Sequence, residues 1–184
     1  MLQVTPRPQT VQDYRLLPEE GPRFQLIEGE LHMAPAPNTF HQVVSRNLFY
    51  LLMDFLEEHP IGEVFNAPFD VYLTETDVFQ PDLCVFFRKQ GTYLDERGAT
   101  CAPWLVIEIL SPSSRRHDRG PKREVYARCG ARELWLIDPD KRAVEIFQLS
   151  KNPEVPAAIL TDRDELGTEL LPGLKISLAR VFTH

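Results

Sequence analysis

The sequence predicts an α/β fold in which a central mixed β-sheet is flanked by helices and preceded by an N-terminal β-hairpin. Three observations support this prediction. A long amphipathic helical pattern begins near residue 39, short apolar runs bounded by Pro, Gly or Asp follow it, and a second amphipathic segment separates two of these runs. A helix between two strands predicts a crossover within one sheet. The 184 residues suit one core rather than two, so we expect a single domain over residues 1–184.

The N-terminal part of the chain predicts a hairpin followed by a long helix. "FQLIEGELHMAP" contains two short extended runs around Gly29, which indicates a hairpin packed beside the next helix. In "NTFHQVVSRNLFYLLMDFLEEH" Asn38 is a good N-cap, and Pro60 and Gly62 mark the end of the helix. The inward face is predicted to carry Val44, Leu48, Leu51, Leu52 and Phe55.

The rest of the chain reads mainly as strands. The predicted strands are "EVFNAPFDVYL", "DLCVFF", "WLVIEIL", "ELWLID" and "AVEIFQL". A helix from about Asp118 to Cys129 connects "WLVIEIL" to "ELWLID", and the segment after residue 156 is expected to form a closing hairpin and a short terminal element.

The composition and charge of the chain argue against several classes of function. The net charge of −7 argues against a surface coated with positive charge for non-specific nucleic-acid binding, although it allows a local basic site. No apolar run approaches the length of a membrane span, and the N-terminus lacks an export signal, so we expect a cytoplasmic protein without membrane partners. The three cysteines form no CxxC pair, which favours free thiols over disulfides or a zinc site.

Two acidic residues occur in apolar strands. Glu108 lies within "WLVIEIL", where it shares one strand face with Val106 and Leu110. Because an unpaired carboxylate in such a strand is costly, Glu108 needs a cation, a hydrogen-bond network or a metal. Asp82 opens the strand "DLCVFF" directly after a proline, and on its own it is better explained as a turn or strand-start residue.

One lysine falls on the apolar stripe of the crossover helix. Lys122 is spaced with Val125, Tyr126 and Cys129 so that it faces the sheet, although it could instead pair with Asp118 or extend along the stripe to water. Together, two carboxylates on core strands and a lysine directed at them are a set that suits Mg²⁺ or Mn²⁺. The lysine could hold or help deprotonate an attacking water.

These residues resemble the motif of the PD-(D/E)XK, restriction-endonuclease-like superfamily. Asp82 follows Pro81, and Glu108 stands in "EIL", but Leu110 occupies the usual lysine position, and Lys122 on the following helix is placed to replace that lysine. More specifically, almost the whole chain resembles the bacterial Uma-type family, whose members are classed as restriction endonucleases. The matching segments are "PDLCVF", "LVIEILSPSS", the spacing Asp118, Lys122, Tyr126 and Gly130, "ELWLIDP" and "LPGLKISLARVF".

The resemblance implies a restriction-endonuclease-like core and Mg²⁺-dependent (or Mn²⁺-dependent) hydrolysis of DNA phosphodiester bonds. It implies that Asp82, Glu108 and the Ile109 carbonyl ligate the metal and that Lys122 serves the water nucleophile. A homodimer would suit the cutting of both strands of a duplex. The alternatives are a catalytically silent binding or assembly module that keeps the nuclease scaffold, and a hydrolase of a smaller phosphate ester.

Further residues are secondary candidates. His41, on the inward face of the long helix, is either a hydrogen-bonded core residue or an auxiliary site residue. Asp70 is either an added acidic ligand or a surface strand residue. The loop after the Glu108 strand is either a solvated basic loop or a phosphate-contacting segment, with candidate DNA contacts at Arg115, Arg116, Arg119 and Arg123.

Overall fold

The computed structural model describes residues 9–18, 20–34, 36–91 and 93–183. Within these ranges the helices are α1 (Val11–Tyr14), α2 (Thr39–Glu58), α3 (Arg115–Arg119), α4 (Pro121–Arg128) and α5 (Leu178–Val181). A short 3₁₀ turn covers Arg88–Gln90. None of the helices in the described ranges is long and apolar enough to cross a membrane.

A mixed six-stranded sheet, the central sheet, forms the middle of the molecule. Its strands are, in spatial order, β12 (Ala158–Thr161), β11 (Ala143–Phe147), β10 (Glu133–Asp138), β9 (Leu105–Ile109), β6 (Leu83–Phe87) and β3 (Gly62–Asn66). Strands β9 and β10 are parallel, and every other neighbouring pair is antiparallel. The predicted mixed sheet with a helical crossover between β9 and β10 is therefore confirmed.

A second six-stranded sheet, the N-terminal sheet, contains the predicted hairpin. Its order is β2 (Glu30–Met33), β1 (Phe24–Ile27), β5 (Asp77–Phe79), β4 (Val71–Thr74), β8 (Gly98–Ala99) and β7 (Leu94–Asp95). Glu28 and Gly29 both have positive φ at the turn of the β1–β2 hairpin, as a tight two-residue hairpin turn requires. The predicted hairpin is thus present, and it pairs through β1 with β5.

The two faces of the central sheet carry different cores. On one face α2, α5 and the C-terminal hairpin of β13 (Glu165–Thr168) and β14 (Leu171–Ser177) cover a core that includes Leu48, Ile107 and Trp135. On the other face α4 packs with residues of the N-terminal sheet over a second core that includes Val106 and Tyr126. The side chain of Glu108 belongs to this second face, because it alternates with Ile107 and Ile109 along β9.

The crossover between β9 and β10 is two short helices rather than the one predicted helix. Helix α3 ends at Arg119 and α4 begins at Pro121, with Gly120 between them in a non-helical conformation. Proline lacks a backbone N–H and disfavours a helical conformation at the residue before it, so the break falls at this position. Asp118 in α3 and Lys122 in α4 nevertheless remain in contact across the break.

Candidate active site

Asp82 and Glu108 lie on neighbouring strands at the same level of the central sheet. The register pairs Leu83 with Ile107, so one further step places Asp82, which directly precedes β6, opposite Glu108. The backbone N–H of Ile109 donates to Asp82 Oδ2 at 2.7 Å, which fixes the aspartate side chain against β9. Residues directly opposite in an antiparallel pair share a sheet face, so this register places both carboxylates on one side of the sheet.

The Glu108 carboxylate is buried and receives two donors on a single oxygen. Lys122 Nζ lies 2.6 Å from Glu108 Oε1, and the Tyr126 hydroxyl donates to the same oxygen at 2.8 Å. The other oxygen, Oε2, accepts no hydrogen bond from the described part of the chain. Strand β9 supplies the glutamate and α4 supplies both donors, because Lys122 and Tyr126 are four residues apart on one face of that helix.

Lys122 is also bound by a second acid. Asp118 Oδ1 lies 2.9 Å from the Lys122 ammonium, and Lys122, Asp118 and Glu108 are each at most 3% exposed. The phenylalanine ring of Phe79 lies below the ammonium, at 5.7 Å from Nζ to the ring centroid. Lys122 therefore points into the sheet, and both partners that the sequence allowed, Glu108 and Asp118, are engaged at once.

The cluster has more acids than bases. Burial, with a smaller contribution from the nearby charges of Asp118 and Asp82, raises the pKa of Glu108 to about 8 in spite of the lowering effect of Lys122. Burial alone would lower the pKa of Lys122, but the charges of Asp118 and Glu108 outweigh it and raise that pKa above its usual value. Lys122 is therefore a cation at neutral pH, and the surrounding carboxylates leave an excess of negative charge.

His41, in the first turn of α2, joins the edge of this cluster. Its Nε2 atom lies 3.1 Å from the Ile109 carbonyl oxygen and 3.4 Å from Asp82 Oδ1. Burial tends to lower the pKa of His41, but the hydrogen bond and charge of Asp82 raise it overall. Asn38 accepts from the His41 backbone N–H at 2.8 Å, as predicted for the N-cap, and so fixes the start of the helix beside the site.

A cleft of about 840 Å³ opens beside the site. The side chains of Asp82, His41, Asp118 and Lys122 form its floor, while the β1–β2 hairpin, the first turns of α2 and the loop after β9 form its walls. The cleft therefore gives solvent access to Asp82, His41 and Lys122, beside the buried Glu108.

Asp70 is held elsewhere in the structure. It accepts hydrogen bonds from Tyr14, Tyr72 and Gln80, the last at 2.7 Å, and it lies before β4 of the N-terminal sheet. The carboxylate lines a smaller pocket with Phe69 rather than the cleft that Asp82 and Lys122 line. Its surroundings are those of a residue that ties α1 to the N-terminal sheet.

Three of the four candidate DNA-contacting arginines are paired with acids of the protein. Arg115 bonds Asp138 at 2.9 Å, and Arg119 makes two bonds to Glu145 at 2.6 and 2.7 Å. Arg123 contacts the backbone and side chain of Glu154. Arg116 is the exposed member of the group. Most of the positive charge that the sequence displays in this segment is therefore already balanced.

The Arg119 pair gives a test of this structural role. We expect Arg119→Ala to lower the free energy of unfolding by about 1 kcal/mol, because it removes a two-point, partly buried ion pair, whereas exposed Arg116→Ala changes it little. Urea unfolding of both variants, of Glu145→Ala and of the double variant Arg119→Ala with Glu145→Ala measures the coupling between Arg119 and Glu145. An unchanged stability together with weakened DNA binding would assign Arg119 to the nucleic acid instead.

Asp118 and Tyr126 belong to the buried cluster, but sequence reasoning gave them no role in the site. Asp118 four residues before Lys122 was expected only as a possible ion-pair partner, and Tyr126 as a member of the apolar stripe. Their spacing with Lys122, one residue every four, would place all three on one face of the single predicted helix and is the signal that could have identified them.

Comparisons with known proteins identify a family for the chain and a solved structure with a similar fold. The Uma2 family, described as "Putative restriction endonuclease", matches residues 11–179. An uncharacterized protein of Synechocystis sp., slr1290, is 27% identical over 153 residues, which cover 78% of this chain and 76% of that protein. The crystal structure of a protein from Anabaena variabilis, described as a putative nuclease belonging to DUF820, has a similar fold, with a TM-score of 0.79 and 22% identity over 95% of this chain and 98% of that one. Since the family match spans nearly the whole described structure, the chain belongs to the Uma2 family.

Proposed function

We propose that this protein is a divalent-metal-dependent nuclease that hydrolyses DNA phosphodiester bonds at Asp82, Glu108 and Lys122. The observation that carries the proposal is the arrangement around Glu108. The Lys122 ammonium contacts one oxygen of the Glu108 carboxylate, and Asp82 lies opposite Glu108 on the adjacent strand. The family's description as restriction endonucleases and the nuclease description of the Anabaena variabilis protein support the same reaction class.

The donor set fits a hard divalent cation. Glu108 Oε2, the Asp82 carboxylate and the Ile109 carbonyl offer oxygen atoms only, the ligands that Mg²⁺ and Mn²⁺ prefer. The described residues contain no cluster of three or more His, Cys, Asp or Glu side chains suited to a metal, so the protein would supply few ligands. This suits Mg²⁺, which usually keeps several waters and binds through one or two carboxylates together with substrate phosphate.

The excess negative charge is the second argument for a cation. Glu108 and Asp118 contact the ammonium of Lys122, Asp82 lies on the adjacent strand, and burial together with the charges of Asp118 and Asp82 raises the pKa of Glu108. A divalent cation between Asp82 and Glu108 would balance this charge. When bound, this cation would polarise a phosphoryl oxygen and lower the pKa of a bound water.

Lys122 contributes a fixed positive charge rather than a base. Asp118 and Glu108 hold its ammonium in place and keep it protonated, so it can orient a water and offset the charge that develops on the phosphoryl oxygens. Because the lysine is held before substrate binds, little reorganisation is needed at the moment of reaction. Asp118 and Tyr126 act through Lys122 and Glu108 and are positioning residues.

The test is cleavage of supercoiled plasmid DNA and of circular single-stranded DNA with Mg²⁺ or Mn²⁺. We expect products from the wild type with at least one cation and none in EDTA. Asp82→Asn should lose the activity while it keeps the acceptor for the Ile109 N–H. Absence of cleavage with either DNA and either cation would overturn the proposal, and equal activity of Asp82→Asn would place the reaction elsewhere.

A further inference from the structure

The walls of the cleft carry groups suited to nucleobases more than to a phosphate backbone. His32 and Met33 come from β2 of the hairpin, and His117 comes from α3 on the opposite side. Met33, at the rim of the cleft, is 61% exposed. Amide and hydroxyl side chains also line the cleft, namely Gln25, Asn38, Gln42, Ser45, Ser111 and Ser113.

Positive charge is scarce in the cleft. Among the described residues that line it, the cations besides histidine are Lys122 and Arg23, and Lys122 is bonded to Glu108 and Asp118. The arginines that follow β9 are mostly bonded to acids of the protein, as shown above. Binding to duplex DNA relies on Lys and Arg that neutralise phosphates, and this cleft supplies few of them.

The imidazole rings of His32 and His117 contact each other at the wall of the cleft. The ring centroids of His32 and His117 are 4.5 Å apart with an interplanar angle of 55°. Burial and the charge of His32 lower the pKa of His117, so that ring is neutral at pH 7 and presents an uncharged aromatic face. Sequence-independent binding of single strands relies on bases stacked on aromatic side chains together with a few backbone contacts.

We propose that the cleft binds single-stranded DNA, with the base beside the scissile phosphate stacked on the His32–His117 pair and its edge bonded by the amides of the wall. This inference rests on the proposed nuclease function and names its substrate class. Arg23, exposed at the rim, contacts a flanking phosphate. The site then needs unpaired nucleotides, because a duplex would keep its bases stacked inside the helix and present phosphates where the cleft has few cations.

The experiment compares binding of a labelled single-stranded oligonucleotide with that of a duplex of equal length. It uses the Glu108→Gln protein with Mg²⁺ and fluorescence anisotropy, so that cleavage does not interfere. We expect tighter binding of the single strand and a shallow salt dependence, with a log–log slope near −1 for one or two phosphate contacts. Added His32→Ala or His117→Ala should weaken binding by about 10-fold, and the Phe replacements should restore it.

His59→Ala is the matched control, because that histidine stacks on Phe55 at the far end of α2. Equal or tighter duplex binding, or alanine variants that bind like His59→Ala, would overturn the single-strand inference even if the wild type cleaves plasmid DNA. Binding of neither DNA would overturn it as well. If the wild type cleaves nothing while the single strand still binds preferentially and depends on His32, then the nuclease proposal fails and the inference about the cleft holds.

Discussion

Glu108→Gln is expected to reduce DNA cleavage at least about 100-fold while the protein remains folded. The substitution removes the negative charge that a divalent cation needs, and metal assistance contributes several kcal/mol to such reactions. The amide oxygen can still accept from Lys122 and Tyr126, and Lys122 keeps Asp118 as a partner. Because burial and neighbouring acids raise the pKa of Glu108, the neutral glutamine should leave the free energy of unfolding equal or higher in metal-free buffer.

The measurement pairs initial cleavage rates with urea unfolding. Glu124→Gln is the control, since Glu124 is exposed on α4, the helix that carries Lys122, and is expected to retain both rate and stability. Loss of cleavage together with a large loss of stability would mean that Glu108 serves the fold alone, and retained cleavage would remove it from the active site.

Lys122→Met is expected to reduce cleavage by about 100-fold to 1000-fold and also to destabilise the protein. The methionine keeps the length of the apolar stem but removes the charge that would offset the developing phosphoryl charge. It leaves the buried Glu108 and Asp118 carboxylates without their shared cation, and breaking a buried pair in this way costs about 3–5 kcal/mol. Lys175→Met, at an exposed position of β14, should change neither quantity.

A double variant separates the two effects of Lys122. Adding Asp118→Asn to Lys122→Met removes one unpaired acid, so the urea midpoint should rise again while cleavage stays low. Recovery of cleavage together with stability would show that Lys122 maintains the fold and takes no part in the reaction.

The central sheet and the pairing of Glu108 with Lys122 could be predicted from the sequence. Glu108 stands out because a carboxylate interrupts an apolar strand, and Lys122 because it falls on the apolar face of a helix. Both signals depend on local periodicity, which a single sequence displays directly. The predicted α/β fold, the hairpin at Gly29 and the family resemblance are confirmed by the structure and the comparisons.

What the sequence did not reveal depends on contacts between distant segments. The N-terminal sheet requires pairing of Leu26 with Val78 and includes two-residue strands that carry no periodic signal. The carboxylate that pairs with Arg119 belongs to Glu145, which lies on β11, after the crossover in the chain. Whether Asp118 is a surface partner of Lys122 or a buried one is decided by how α3 and α4 pack on the sheet, and local spacing is the same in both cases.

The most direct test of the proposed site is the location of a bound cation. Wild-type crystals soaked with Mn²⁺ and measured for anomalous scattering should show a peak between the Asp82 carboxylate and Glu108 Oε2, at coordination distance from both and close to the Ile109 carbonyl. The same soak of Glu108→Gln crystals should show a weaker peak or none. A Mn²⁺ peak elsewhere, or an undisturbed cluster at saturating Mn²⁺, would contradict a metal-dependent active site at Asp82 and Glu108.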